Sequence, residues 1–253
     1  MAPNQQDSFK LITMKKIIVL AALFISFKSF SQVFISKGMV EYEVKVNNHK
    51  SFGEGIWADM MKDRLPKFST SYYQLTFDND KSVYQFSKKD EAAKLPWGGD
   101  KEEDFWFNDY GNFSYVQQKG VFGETYILKD SLLNIKWKIS NESREIAGFN
   151  CRKATGIIFD SVYVFAFYTD EITVSGGPMS LHGLPGLILG VTIPRMFSSW
   201  VATRVQVNAV DEKKIVAPKK GKQEKASQLK ETVLKATKDW GTYGQQAVWN
   251  IFL

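Results

Sequence analysis

Short segments that alternate apolar and polar residues recur along most of this sequence. Examples are MVEYEVKV at residues 39–46, SVYQFS at residues 82–87 and ETYILK at residues 124–129. A period of two residues predicts strands with one buried face, and β-branched and aromatic residues favour the same structure. Further segments of this kind begin at residues 72, 113, 135, 151, 161, 187 and 200. We therefore predict a mainly β protein of about ten strands, with an antiparallel curved sheet or half-open barrel and one or two covering helices.

Two segments depart from this pattern and predict the helices. The segment IWADMMKDRLPKF at residues 56–68 keeps a helical spacing as far as Pro66. The second segment lies near the C-terminus, and its apolar residues recur every three or four positions: Ala226, Leu229, Val233, Ala236 and Trp240. This is the apolar stripe of an amphipathic helix. We expect the stripe to pack on the sheet, with docking to a partner as the alternative.

The segment MKKIIVLAALFISFKSFS at residues 14–31 has the order of a secretory signal peptide, with lysines, an apolar core and small residues near the cut. Its core is too short to cross a bilayer as a helix, which takes roughly 20 residues. We expect translation to start at Met14, cleavage after Ser31, and a periplasmic or secreted protein without a membrane span. Three regions follow: an N-terminal extension and signal peptide (1–31), a β domain (32–210), and a Lys-rich linker with a C-terminal amphipathic helix (211–253).

The net charge of +6 is unevenly distributed. Residues 211–253 contain nine lysines and five acidic residues, whereas residues 32–210 are close to neutral. The β domain therefore gives no reason to expect nucleic acid as a partner. Cys151 is the only cysteine, so no intramolecular disulfide can form.

A loop rich in glycine and proline, SGGPMSLHGLPG at residues 175–186, leads directly into the apolar segment LILGVTI. Pro185 followed by Gly186 is typical of a type II turn, in which the second residue has a positive φ. The loop includes GLPGLIL at residues 183–189, and the sequence also contains REIAGFNCRKAT at residues 144–155 and VFAFYTDEI at residues 164–172. In these motifs and their order, the chain resembles the GLPGLI family of exported Bacteroidetes-type proteins.

The resemblance implies a secreted or periplasmic β protein, sometimes considered near TonB-dependent outer-membrane transporters. It supplies no catalytic residues. Many relatives carry a second cysteine shortly after the one that matches Cys151, and this chain does not. The resemblance therefore gives no support to a disulfide-based mechanism here.

Side chains suited to catalysis are few. Asp170 and Glu171 end an apolar segment, and His182 follows in the loop, so these three residues are weak candidates for acid–base catalysis or for a metal-assisted hydrolase. The alternative is a structural role, in which Asp170 and Glu171 lie on the surface and His182 forms a hydrogen bond within its own loop. The two histidines, His49 and His182, show no metal-binding spacing, and we expect no metal and no cofactor.

Aromatic residues are abundant between residues 97 and 115, and they suit either a core or a ligand groove. The candidate binding residues are Trp97, Trp106, Tyr110, Gly183, Leu184, Pro185 and Gly186. We favour a periplasmic, non-enzymatic binding or accessory protein over the hydrolase. Expected partners are an outer-membrane transporter or another envelope protein, or an apolar peptide or lipid.

Overall fold

Strands dominate the computed structural model, which describes residues 34–51, 59–60, 62–90, 103–207, 210–240 and 242–252. In these residues twelve strands form one open sheet, in the order β12-β6-β5-β4-β3-β2-β1-β11-β10-β9-β8-β7. The strands are β1 (Lys37–Asn47), β2 (Phe68–Asp78), β3 (Lys81–Lys89), β4 (Phe105–Asp109), β5 (Ser114–Val121), β6 (Glu124–Ser131), β7 (Lys138–Ile146), β8 (Phe149–Ile158), β9 (Val162–Thr169), β10 (Leu187–Ile193), β11 (Ser198–Val207) and β12 (Lys222–Glu224).

The sheet consists of two antiparallel meanders that meet at its centre. Strand β1 pairs with β2 on one side and with β11 on the other. Only the short strand β12 runs parallel to its described neighbour, β6. The alternation seen in the sequence matches burial, since every second residue of β1 and β2 faces the core.

The connection between β6 and β7 shows that this sheet is strongly curved. It contains six residues, 132–137, although β6 and β7 lie ten strand positions apart in the sheet. In a flat sheet that separation would be about 48 Å. Seven residue steps span at most about 25 Å. The two ends of the sheet therefore curl towards each other, and Leu132 and Ile135 of the connection are buried in the core.

Helices lie along the chain at α1 (Asn48–Ser51), α2 (Ala226–Ala236) and α3 (Thr242–Phe252). Leu229 and Val233 of α2 form a small apolar cluster with Val121 and Leu128 of the sheet. The predicted stripe thus packs on the sheet. It does so only in part, because Ala236 and Trp240 are exposed where α2 ends.

The predicted mainly β fold with a curved antiparallel sheet and covering helices is confirmed. The predicted helix at residues 56–68 lies partly outside the described residues. Residues 59, 60 and 62 are helical, and β2 already begins at Phe68. The predicted signal peptide lies entirely outside them. Within the described ranges, no helix combines the length and apolar character needed to span a membrane.

Candidate functional site

The loop at residues 175–186 fills the interior of the sheet. Leu181 and Leu184 are fully buried, and the side-chain amide of Asn108 on β4 donates a 2.7 Å hydrogen bond to the carbonyl of Met179. The Tyr110 hydroxyl bonds that of Ser82 at 2.7 Å and lies directly against Gly176. Leu184 therefore belongs to a packed structural element, whereas Gly183 and Pro185 are exposed.

The turn at the end of this loop differs from the predicted type II turn. Gly186 has the expected positive φ, at 143°. Its N–H, however, bonds the carbonyl of Leu184 at 2.8 Å, which closes a γ-turn around Pro185. A type II turn would instead use the N–H of Leu187, and that group bonds Ile172. The Leu187 N–H is used by the Ile172 carbonyl, so it is not available to close a type II turn.

His182 is buried and bonded within the core. Its Nε2 donates to the carbonyl of Leu133 at 2.9 Å, and its ring lies between those of Tyr110 and Phe113. Burial lowers the pKa of the imidazole, partly offset by the bond to Leu133, so the ring is held in its neutral form.

Asp170 and Glu171 are exposed at the end of β9. Within the described ranges no three His, Cys, Asp or Glu side chains are grouped so that they could hold a metal ion. The structure therefore does not assemble Asp170, Glu171 and His182 into a metal centre.

The aromatic candidates fall in different environments. Trp106 is only 2% exposed, and Tyr110 is buried beside the loop. Burial raises the pKa of Tyr110 to about 12. Trp97 lies outside the described residues. Trp106 lines a cavity on the concave side of the sheet, the inner cavity.

This inner cavity has a volume of about 530 Å³ and is lined by residues of β1–β5, β11, α1 and α3. Its aromatic lining includes Tyr73, Tyr84, Trp106 and Trp200, and the Tyr73 and Tyr84 rings stack at 5.0 Å. Valines and methionines line much of the remainder, and Gln246, Ala247, Asn250 and Ile251 of α3 cover it. The Gln117 amide donates to the Ile251 carbonyl at 2.7 Å and ties α3 to β5.

A buried ion pair lies in the inner cavity. Lys119 Nζ is 2.8 Å from Asp104 Oδ1, and the two side chains are only 12% and 5% exposed. The Tyr73 hydroxyl donates to Asp104 Oδ2 at 3.0 Å, and Lys119 also lies over the Trp106 ring at 5.4 Å. Burial and the nearby Asp104 charge raise the pKa of Tyr73 well above its ordinary value, which keeps this hydroxyl protonated as a donor.

Asp104 and Lys119 are not among the candidate site residues predicted from the sequence. Strands β4 and β5 form a hairpin in which Phe105 pairs with Gln118, and the next position in that register sets Asp104 beside Lys119. Placing the hairpin turn at residues 110–113 would have revealed the pair. Opposite charges at paired hairpin positions are a recognisable signal once the register is known.

Comparison with known proteins gives structural neighbours and a family. Two solved structures of PNGF-II, in different space groups, superpose with TM-scores of 0.50 each, at 18% and 17% identity over 77% and 79% of this chain. At this identity the likeness concerns the fold. The match covers 32% and 34% of those chains, so this chain spans about a third of their length. A search of curated proteins found no match.

A family model gives the assignment. It matches residues 107–239, just over half of the chain, from β4 to the end of α2 and the turn that follows it. The matched region includes Lys119 and the loop at residues 175–186, and it begins after Tyr73, Tyr84, Asp104 and Trp106. The chain belongs to the family described as N-glycanase peptide, N-terminal domain.

Proposed function

We propose that this protein is an exported, non-enzymatic binding protein whose ligand site is the inner cavity. The observation that carries the proposal is the buried pair of Asp104 and Lys119 on the aromatic side of that cavity. Burying an ion pair is costly, and replacing one with apolar residues often leaves a protein as stable or more stable. A ligand that bonds both charges would explain why this cavity keeps them. Its volume is in the usual range for small-molecule sites, roughly 300–1,000 Å³.

The chemistry of the cavity favours a neutral ligand rich in hydroxyl groups. An anion would be attracted by Lys119 and repelled by Asp104. A cation would be attracted by Asp104 and repelled by Lys119. A hydroxyl group can donate to a carboxylate and accept from an ammonium group, so it suits both. The aromatic residues that line the cavity, Tyr73, Tyr84, Trp106 and Trp200, add apolar surface against which the C–H groups of a sugar ring can pack. A carbohydrate combines both properties.

The family assignment supports a carbohydrate ligand. The family is named for an N-glycanase and describes its N-terminal domain. Each Asp104 oxygen has one protein contact, with Tyr73 or Lys119, so the remaining lone pairs of Asp104 and the remaining N–H donors of Lys119 can bond a ligand.

Export and an envelope partner complete the proposal. They rest on the signal-like segment at residues 14–31 and on the resemblance to the GLPGLI family. Under this proposal the mature protein works in the periplasm or outside the cell, as an accessory to an envelope complex that includes an outer-membrane transporter.

Titration with N-acetylglucosamine, mannose and galactose, followed by ligand-observed NMR, tests the site. We expect at least one sugar to bind, and Lys119→Met to weaken its binding about tenfold, since a hydrogen bond to a charged group contributes roughly 1.5–3 kcal/mol. Lys45→Met removes a lysine from an exposed pair with Glu43 on β1 and serves as the control. Equal weakening by both variants, or no binding of any sugar, would contradict the proposal.

A further inference from the structure

A second concave site, the outer groove, lies outside the inner cavity. It has a volume of about 730 Å³ and is lined by Ser161, Tyr163, Phe165, Pro194, Arg195, Phe197, Gln245, Gln246 and Trp249. Four of these side chains are aromatic and none is acidic. Tyr163 is 54% exposed and belongs to β9, which is paired with a strand on each side.

Arg195 supplies the groove with an unpaired positive charge. Its guanidinium lies over the Trp249 ring at 5.4 Å, and Nη1 donates to the carbonyl of Ser161 at 3.2 Å. It forms no ion pair with any described residue, including the neighbouring Asp160. A guanidinium has five N–H donors in a planar fork, so most of its donors stay free for a carboxylate.

The main chain that carries Arg195 is held by local hydrogen bonds. Arg195 belongs to a 3₁₀ helix at Pro194–Met196, which ends at Phe197 with φ at 50°. The Phe197 N–H bonds the Pro194 carbonyl at 3.0 Å, and the Phe197 carbonyl accepts from Asn47 at 2.9 Å. A left-handed conformation is uncommon for a bulky residue, and such strain persists where the surroundings hold it. The left-handed conformation of Phe197 places the Phe197 ring and Arg195 along the same groove.

Two further cations lie on the same face of β9, outside the lining of the groove. Lys153 lies over the Phe165 ring at 5.5 Å, and its ammonium group is 2.6 Å from the Glu142 carboxylate; the Arg144 guanidinium lies over the Phe167 ring at 3.7 Å. Among the described residues that line the groove, Arg195 alone is charged, and it lies beside an aromatic surface. From this charge complementarity we infer that the outer groove binds an apolar monocarboxylate of the fatty-acid type, with its carboxylate on Arg195 and its chain along Tyr163, Phe165 and Phe197.

This site is independent of the sugar site in the inner cavity, although Gln246 lines both. The inner cavity contains a balanced pair of charges and favours a neutral ligand. The outer groove contains one unbalanced cation and favours an anion. An experiment can therefore contradict the sugar site in the inner cavity without contradicting the carboxylate site in the outer groove, and the reverse.

Calorimetric titration with dodecanoate and with dodecanol tests the inference on the full chain. We expect dodecanoate to bind at least about tenfold more tightly than dodecanol, because only the carboxylate forms charge-assisted hydrogen bonds with Arg195. Arg195→Gln should abolish that preference. Arg204→Gln, which removes an exposed arginine on β11, should leave it intact.

Two further variants keep the test decisive. Arg195→Lys retains the charge but not the fork, and should lose part of the preference while the fold is unchanged by circular dichroism. Tyr163→Ser should weaken both ligands equally, since it removes a surface for the chain and not for the carboxylate. Equal binding of dodecanoate and dodecanol, no binding of either, or equal effects of Arg195→Gln and Arg204→Gln would overturn the inference.

Discussion

The side-chain amide of Asn108 donates a 2.7 Å hydrogen bond to the main-chain carbonyl of Met179, and both residues are buried. This bond joins β4 to the loop at residues 175–186 across 71 residues of sequence. It explains how a loop rich in glycine is held as an ordered part of the core. The loop is thus a structural element that shapes the sheet around the inner cavity.

Asn108→Leu should loosen this loop. The change removes the donor and leaves the Met179 carbonyl buried without a partner, which costs about 1–3 kcal/mol. Urea denaturation should show this loss, and hydrogen exchange should accelerate within residues 176–186. Asn112→Ala, in an exposed turn, is the control and should leave exchange in the loop unchanged. Unchanged exchange in the Asn108 variant would show that packing alone holds the loop.

Gly186→Ala should be far more destabilising than Gly123→Ala. Both glycines have a positive φ, at 143° and 83°. A Cβ at Gly123 would meet nothing within 4 Å, whereas one at Gly186 would collide with the Thr169 carbonyl oxygen. We expect a loss of about 1 kcal/mol at Gly123 and on the order of 3 kcal/mol or more at Gly186. Equal midpoints in urea for the two variants would contradict the packing described at Gly186.

The free energy of unfolding should decrease as the pH decreases, over a window set by His182. Burial lowers the pKa of this imidazole below its ordinary value of 6.5, so the unfolded state binds more protons between the two values. The contribution is fully present above pH 6.5 and is lost as the pH falls through the folded value. His182→Gln should reduce this slope in urea denaturation series. An identical slope in both proteins would assign the effect to other groups.

Asp104 and Lys119 should show strong energetic coupling. Lys119→Met leaves the Asp104 carboxylate buried with Tyr73 as its remaining side-chain partner, and should cost about 3 kcal/mol. Adding Asp104→Asn removes the unpaired charge and should recover part of this loss. A double-mutant cycle by chemical denaturation measures the coupling. Additive effects of the two substitutions would mean that the ion pair contributes nothing measurable.

Cys151 should be unreactive in the folded protein. Its burial raises the pKa of the thiol to about 11, an effect that nearby Arg144 only partly opposes. The thiolate is the reactive form, so modification at pH 8 should be about a hundredfold slower in the folded than in the unfolded chain. Labelling with a chromogenic disulfide reagent, with and without urea, measures this difference. Rapid labelling without urea would show that the segment around Cys151 opens readily.

The sequence alone predicted the strands well, because the alternation of apolar and polar residues is a local property. Strand β10 was predicted as LILGVTI and extends over Leu187–Ile193. The positive φ of Gly186 was likewise predictable, since proline followed by glycine restricts the backbone locally. The apolar spacing also identified helix α2, although not that its last apolar residue would be exposed.

The tertiary structure decided what depends on pairing between distant residues. The β4–β5 register sets Asp104 beside Lys119, and the short link from β6 to β7 forces the curvature that encloses the inner cavity. Burial of His182 follows from the same closure, because Leu133, which accepts its hydrogen bond, belongs to that link. The local pattern determines which residues form strands and which face each strand buries. Only strand order and register determine which buried polar side chains meet, because those contacts join residues far apart in the chain.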